Sequence, residues 1–194
     1  MKRLLGLSML FGFAALTLPG LPAEAAADEH AYIGTKKCKK CHIKEFKSWE
    51  QTKMANAFEI LKPGERAEQK TAVGLDPNKD YTTDPACIKC HVVGYEKEGG
   101  YVDEATTPDL VGVGCEMCHG AGGTYVADEY MSLKNKEFNR ADIEAVGSIY
   151  PPTEEQCRVC HNEESPFAGE GYVFDFAQRK KDGTHEVYPL KYEH

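Results

Sequence analysis

The chain has 194 residues, a formal net charge of −8, 18 glycines and 10 prolines. The acidic balance excludes nucleic acid as an expected partner, because binding to phosphates depends on an excess of lysine and arginine. Without residues 1–25, which are discussed below, the chain has about 170 residues, which suits a single domain over residues 26–194. Its polar composition leaves few side chains for the core of such a domain.

The N-terminus has the pattern of a secretory signal. Lys2 and Arg3 precede an apolar run over residues 4–18, and the small residues Ala23 and Ala25 follow. We predict that residues 1–25 are a cleaved signal peptide and that the mature protein is periplasmic. The apolar run is short for a bilayer, so no stable membrane span is expected.

All eight cysteines belong to four copies of one pattern, C-x-x-C-H. We number these copies motif 1 (38–42), motif 2 (87–91), motif 3 (115–119) and motif 4 (157–161). On a helix, the two cysteines and the histidine of such a pattern share one face. The thiols can then add to the vinyl groups of one porphyrin while the imidazole binds its iron, as in c-type haem attachment. The predicted attachment residues are Cys38, Cys41, Cys87, Cys90, Cys115, Cys118, Cys157 and Cys160, and the predicted iron ligands are His42, His91, His119 and His161.

Two other uses of the cysteines are open to an exported protein. Eight cysteines would allow four disulfides, and C-x-x-C pairs also build four-thiolate zinc sites. Neither use requires a histidine directly after every pair. The sequence therefore predicts four covalently bound haem c groups.

Local signals place helices at the motifs. Asp84 and Pro85 form an N-cap and first helical residue before motif 2, and the segment from Thr153 to Gln156 predicts a capping box before motif 4. Gly34 precedes a similar start at motif 1. Four haems in one small domain would supply much of its core. We therefore predict a mainly α, compact multihaem fold in which helices and loops wrap the haems, with little β structure.

A methionine follows motif 1 at helical spacing from other apolar residues. Met54, Ala57, Phe58 and Leu61 lie at positions i, i+3, i+4 and i+7, which predicts a helix face turned toward the core. A methionine on such a face either fills space or, beside a haem, binds its iron.

Several segments together resemble a known family. TKKCKKCH, SWEQTKMANAFEILKPGERAE, GLDPNKDYTTDPACIKCHVVGY and GVGCEMCHGAG are similar to segments of the cytochrome c-554 family, tetrahaem proteins that accept electrons from hydroxylamine oxidoreductase. The resemblance implies a helical periplasmic protein with haems stacked in close pairs. It also implies that three haems have two axial ligands and that the motif-2 haem, bound by His91, lacks the second. His185, in GTHEVYPL, matches the family ligand of the motif-3 haem.

The remaining distal ligands follow less directly from the resemblance. Met54 stands where the family has a histidine that binds the motif-4 haem, so we predict a methionine ligand there. The family's histidine between motifs 3 and 4 has no counterpart, and Met131 is the nearest thioether for the motif-1 haem. Four motifs use four of the seven histidines, so four bis-histidine haems are excluded within one chain. His30 and His194 are the alternative ligands near the termini.

Charge is distributed unevenly along the chain. Residues 36–53 hold seven lysines and two glutamates. This lysine-rich segment is either a solvated surface or a docking patch for an acidic redox partner.

The predicted function is the transfer of single electrons between redox proteins through the four haems, and the sequence shows no acid-base or nucleophilic constellation. An electron carrier is favoured over an enzyme. The alternatives are a haem enzyme that reduces a small nitrogen-oxide ligand at an open iron, and a subunit of a haem-linked filament.

Overall fold

The structure is a computed structural model that describes residues 31–169, 171–190 and 192. The predicted signal peptide, His30 and His194 lie outside the described residues. The helices of the described part are short: α1 (Thr35–Cys38), α2 (Ile43–Trp49), α3 (Ala67–Ala72), α4 (Pro85–Ile88), α5 (Cys115–His119), α6 (Arg140–Ala145), α7 (Glu154–Arg158) and α8 (Phe176–Gly183). Two 3-10 helices span Glu59–Leu61 and Pro108–Leu110.

The mainly helical prediction is confirmed. In the described residues there is no β-strand, and one isolated antiparallel bridge joins Val92 and Val111. Turns and loops connect the helices. None of the helices described has both the length and the apolar composition of a membrane span.

The predicted helix starts at the motifs are confirmed. The Asp84 side chain accepts a hydrogen bond from the Ala86 amide at 3.1 Å, and Pro85 is the first residue of α4. Thr153 and Gln156 form the reciprocal capping box of α7, with distances of 3.3 and 2.8 Å. Gly34 caps α1 with a φ of 81°, a region that favours glycine.

The motifs keep a helical shape even where the regular helix ends. Motif 3 is entirely helical, as α5. In motif 1 the His42 amide donates to the Cys38 carbonyl at 2.9 Å, and in motif 4 the His161 amide donates to the Cys157 carbonyl at the same distance. These bonds from residue i+4 to residue i hold each histidine on the same face as the first cysteine.

The predicted helix through Met54 is wrong. Helix α2 ends at Trp49, and the chain then continues in turns until the 3-10 helix Glu59–Leu61. The Ala57 amide donates to the Met54 carbonyl at 3.1 Å, which is a bond between residues three apart. Phe58 and Leu61 are nevertheless buried, because such turns also bring residues three positions apart to one side.

A side-chain core lies around motif 2. It consists of Phe58, Leu61, Tyr81, Ile88, Val92, Val93, Tyr101 and Leu110. The Val93 amide donates to the Leu110 carbonyl at 2.8 Å and the Tyr101 amide donates to the Val93 carbonyl at 3.0 Å, which closes the loops over this cluster. Around motifs 1, 3 and 4 the buried apolar side chains are scattered: Phe46, Tyr125, Ile143, Ala168 and Phe174. This distribution fits a fold that cofactors complete.

Candidate haem-binding site

The chain brings motif 1 beside motif 3. Helices α1 and α5 pack together, and the sulfur atoms of Cys38 and Cys115 lie close enough to interact. The motif-1 histidine, His42, also lies near His119 of motif 3. Two motifs that are far apart in the sequence therefore form one pair in space.

Motif 2 is paired with motif 4 in the same way. The sulfur atoms of Cys90 and Cys160 interact, and Lys89 forms an ion pair with Glu164 at 2.6 Å. The two pairs are joined through motifs 3 and 4. The Gln156 side-chain amide donates to the Cys118 carbonyl at 3.0 Å, and α5 packs on α7. The contacts thus give the spatial order of motifs 1, 3, 4 and 2.

Three of the predicted ligand histidines are held in an orientation suited to a metal. Nδ1 lies 2.5 Å from the Ala57 carbonyl in His91, 3.2 Å from the Ile149 carbonyl in His119 and 2.7 Å from the Glu186 carbonyl in His185. A ring that donates from Nδ1 presents the lone pair of Nε2 to its other side. The residues therefore fit the iron ligation that the motifs predict.

Burial favours the neutral form of three of the motif histidines. Removal from water lowers the pKa values of His91, His119 and His161, because the charged imidazolium loses its hydration. For His119 the nearby rings of His185 and His42 lower the pKa further. The neutral imidazole is the form that binds a metal.

His119 and His185 face each other across a short gap. Their ring centroids are 6.1 Å apart, with an angle of 38° between the rings. Since a metal–imidazole bond is about 2 Å long, this separation accommodates one metal ion between two rings. The C-terminal segment that carries His185 is held to α2 by a 2.8 Å hydrogen bond from the Glu186 amide to the Ser48 hydroxyl.

Motif 4 lies against α8 and its preceding segment. The His161 ring stacks on Phe174 at 4.7 Å, and Arg179 of α8 acts electrostatically on His161. Met54 reaches the other end of α8, where a Cβ added at Gly183 would lie 3.7 Å from the Met54 methyl group. Met54 is half-buried, and its carbonyl accepts from the Val113 amide at 3.0 Å. The structure thus brings Met54 and motif 4 to one helix.

Met131 is half-buried in a turn, where its amide donates to the Ala127 carbonyl at 2.9 Å. This turn follows motif 3, and the assignment of Met131 to the motif-1 haem stays a prediction.

All eight cysteines are described, and none forms a disulfide. Among the described residues, no cluster of histidine, cysteine and carboxylate side chains suits a bare metal ion.

The lysine-rich segment is exposed. All seven of its lysines lie at the surface, at positions 36, 37, 39, 40, 44, 47 and 53. Of these seven lysines, all within the described part of the chain, only Lys36 forms an ion pair, with Asp109 at 2.5 Å. Lys39 lies over the Phe46 ring and Lys44 over the Tyr188 ring, at 4.4 and 5.4 Å from the ring centroids. The segment surrounds motif 1.

Sequence reasoning missed the groups that orient the histidines. Three of these are backbone carbonyls, which leave no residue signature. Phe174 had a weak signal, since it is an aromatic residue shortly after motif 4. Glu116, inside motif 3, is a buried carboxylate with several hydrogen bonds, and nothing in the pattern C-x-x-C-H marks that position.

Four haem-attachment motifs, folded in contact with one another by short helices and loops, define a tetrahaem c-type cytochrome. The family model described as cytochrome c554 and c-prime matches residues 37–120. The chain is 36% identical over 190 residues to cytochrome c-554 of Nitrosomonas europaea, which covers 87% of this chain and 80% of that protein. The solved structure of reduced cytochrome c554 from Nitrosomonas europaea matches with a TM-score of 0.73 and 36% identity, over 84% of this chain and 90% of that one. The chain therefore belongs to the cytochrome c-554 family.

Proposed function

We propose that this protein is a periplasmic electron carrier that passes single electrons between redox proteins through four haems. The observation that carries the proposal is the unbroken spatial order of the motifs. Motif 1 contacts motif 3, motif 3 contacts motif 4, and motif 4 contacts motif 2. Cofactors attached at these motifs would form one relay through the molecule. A bound haem supplies one-electron chemistry at its iron.

The chain's own residues have three roles in this proposal. The eight motif cysteines anchor the porphyrins, and His42, His91, His119 and His161 bind the irons. The carbonyls of Ala57 and Ile149 hold two of these rings by their Nδ1 atoms. His185 would bind the same iron as His119, which the 6.1 Å separation of the two rings supports.

Methionine ligation is proposed for two irons, with Met54 opposite His161 and Met131 opposite His42. Contact of Met54 with the end of α8 supports the first assignment, since the same helix lies beside His161. A thioether ligand raises the reduction potential of a haem relative to a second histidine.

Replacing Met54 with histidine is expected to lower the potential of one haem while that haem stays low-spin. A spectroelectrochemical titration measures the potential, and the near-infrared charge-transfer band of thioether-ligated ferric haem reports the ligand. That band should weaken in Met54→His. Met117→Leu is the matched control, because Met117 packs against the side-chain core. An unchanged potential and band in Met54→His would show that Met54 only fills space.

The lysine-rich segment is proposed as the docking patch for an acidic redox partner. Its exposed charges surround motif 1, at one end of the motif order, while the whole chain is acidic. Such a local field speeds the approach of an anionic partner and is screened by salt.

Changing Lys37, Lys40 and Lys47 to glutamine is expected to slow oxidation of the reduced protein by hexacyanoferrate(III), an anionic probe, by about tenfold at low salt. In stopped-flow measurements at increasing ionic strength, the oxidation rates of the variant and of the unchanged protein should become equal, because salt screens the charges. The matched control changes the exposed residues Lys134, Lys136 and Lys181, with the same loss of charge. If both triple variants were slowed equally, residues 36–53 would have no special role in docking.

The histidine count supports a second candidate function, reduction of a small nitrogen-oxide ligand at an open iron. Beyond the four motif histidines, only three remain in the chain. His91 is the motif histidine for which neither a histidine nor a methionine has been proposed as partner. An optical difference spectrum of the reduced protein with carbon monoxide separates the two functions. No binding supports the carrier, whereas binding at one haem in four shows an accessible iron and makes the enzyme as well supported as the carrier.

A further inference from the structure

Motif 3 contains a carboxylate that the electron relay does not explain. Glu116 is 3% exposed, although it lies between the two cysteines of a haem-attachment motif. Within the described residues, no lysine, arginine or histidine forms an ion pair with it. A buried charge without an ionic partner is costly unless hydrogen bonds compensate it.

Backbone amides supply that compensation. Oε1 accepts from the Gly122 amide at 2.7 Å and from the Ile33 amide at 3.0 Å. Oε2 accepts from the Gly34 amide at 2.8 Å and from the Ile33 amide at 3.2 Å. All the donors are N–H groups, and an ionised carboxylate is the acceptor that suits such a set.

These bonds hold the start of motif 1 against motif 3. Gly34 is the N-cap of α1, so the Glu116 carboxylate ties the first turn of motif 1 to α5. The segment at the start of α1 and the segments on either side of α5 approach so closely that two glycines are required. A Cβ at Gly122 would lie 2.9 Å from Ile33, and a Cβ at Gly114 would lie 2.3 Å from the Thr35 hydroxyl.

The charge also lies near both haem attachment points. Glu116 acts electrostatically on Cys38 of motif 1 and on Cys115 of motif 3. The lysines of the lysine-rich segment are exposed, so water and salt weaken their opposing field. A buried charge is screened much less.

We propose that Glu116 is a positioning residue that joins motifs 1 and 3 and that its buried negative charge lowers the reduction potentials of the two haems attached there. A negative charge stabilises the ferric form over the ferrous form, which carries one positive charge fewer. The inference rests on the proposed haem attachment at motifs 1 and 3.

The test compares Glu116→Gln with Glu116→Asp by potentiometric titration of the complete holoprotein. Glutamine has the same size but no charge, so two of the four potentials should rise while the other two stay. Aspartate keeps the charge but is shorter, so the potentials should stay near those of the unchanged protein. In both variants the amides of Ile33 and Gly34 should exchange hydrogen faster, because their acceptor is weakened or displaced.

Glu155→Gln is the matched control, since Glu155 is an exposed carboxylate in the first turn of α7, just before motif 4. Its potentials should stay unchanged. The inference is overturned if Glu116→Gln moves no potential, if Glu155→Gln moves them equally, or if Glu116→Asp raises them as much as glutamine does.

Haem content separates these outcomes from a failure of the proposed function. Four haems per chain in the unchanged protein and in the variants would show that haem attachment is intact, independently of the measured potentials. If Glu116→Gln does not mature, Glu116→Asp decides by itself. Unchanged potentials with faster amide exchange in Glu116→Asp support separate roles for the charge and for the hydrogen bonds of Glu116, whereas raised potentials in that variant contradict them.

Discussion

Changing Cys157 and Cys160 to serine is expected to remove one haem of four and to interrupt electron transfer between the two ends of the molecule. Serine cannot form the thioether bonds that anchor a porphyrin at motif 4. Motif 4 lies between motifs 3 and 2 in the spatial order, so its loss separates the motif-2 haem from the other pair. Electron tunnelling weakens steeply with distance, and the relay should therefore be interrupted.

The matched control changes Cys38 and Cys41 to serine at motif 1. This variant also loses one haem, but motif 1 is at one end of the order, so motifs 3, 4 and 2 stay contiguous. Intact mass gives the number of haems, and laser-flash injection of one electron gives the rate of equilibration among them. Equal equilibration rates in the two variants would contradict the spatial order derived from the contacts.

Changing His185 to alanine is expected to convert one haem of four from low-spin to high-spin. His185 faces His119 at 6.1 Å, and alanine leaves that position without a nitrogen ligand. Ferric electron paramagnetic resonance measures the spin states. Added imidazole should restore the low-spin signal, because it supplies the missing ligand without a change in the chain.

His194→Ala is the comparison variant, since it removes the same side chain from the same end of the sequence. It should leave the spin states unchanged. A high-spin haem in His194→Ala and none in His185→Ala would reverse the assignment of the motif-3 ligand.

The local features of the fold could be predicted because their causes lie within a few residues. Asp84 and Thr153 cap their helices as their sequence context indicates, and the four motifs adopt helical shapes. The segment after Trp49 shows the limit of this approach. Apolar residues at helical spacing predicted a helix through Met54, but the Met54 carbonyl accepts from Val113 and the chain turns instead.

The arrangement of the motifs could not be predicted from their spacing. Motif 1 meets motif 3, and motif 2 meets motif 4, through contacts between residues far apart in the chain. The attachment pattern has the same letters at all four places and carries no information about neighbours. Glu116 illustrates this point, because its partners Ile33 and Gly34 belong to a different motif's helix start.

The backbone acceptors of the site were equally invisible in the sequence. Ala57 and Ile149 orient two histidines by their carbonyl oxygens, a role that any residue type can fill. His185, by contrast, could be proposed in advance from the family resemblance. Its 6.1 Å approach to His119 adds a geometric argument that is independent of that resemblance.

A spectropotentiometric titration of the purified protein, with the haem content determined on the same sample, tests whether all four motifs carry single electrons. We expect four covalently bound haems per chain and the reversible uptake of four electrons in one-electron steps. The reductive and oxidative titrations should coincide, since a carrier returns every electron that it accepts. Uptake of fewer than four electrons per chain, or a cooperative two-electron step, would contradict a single-electron relay through all four motifs.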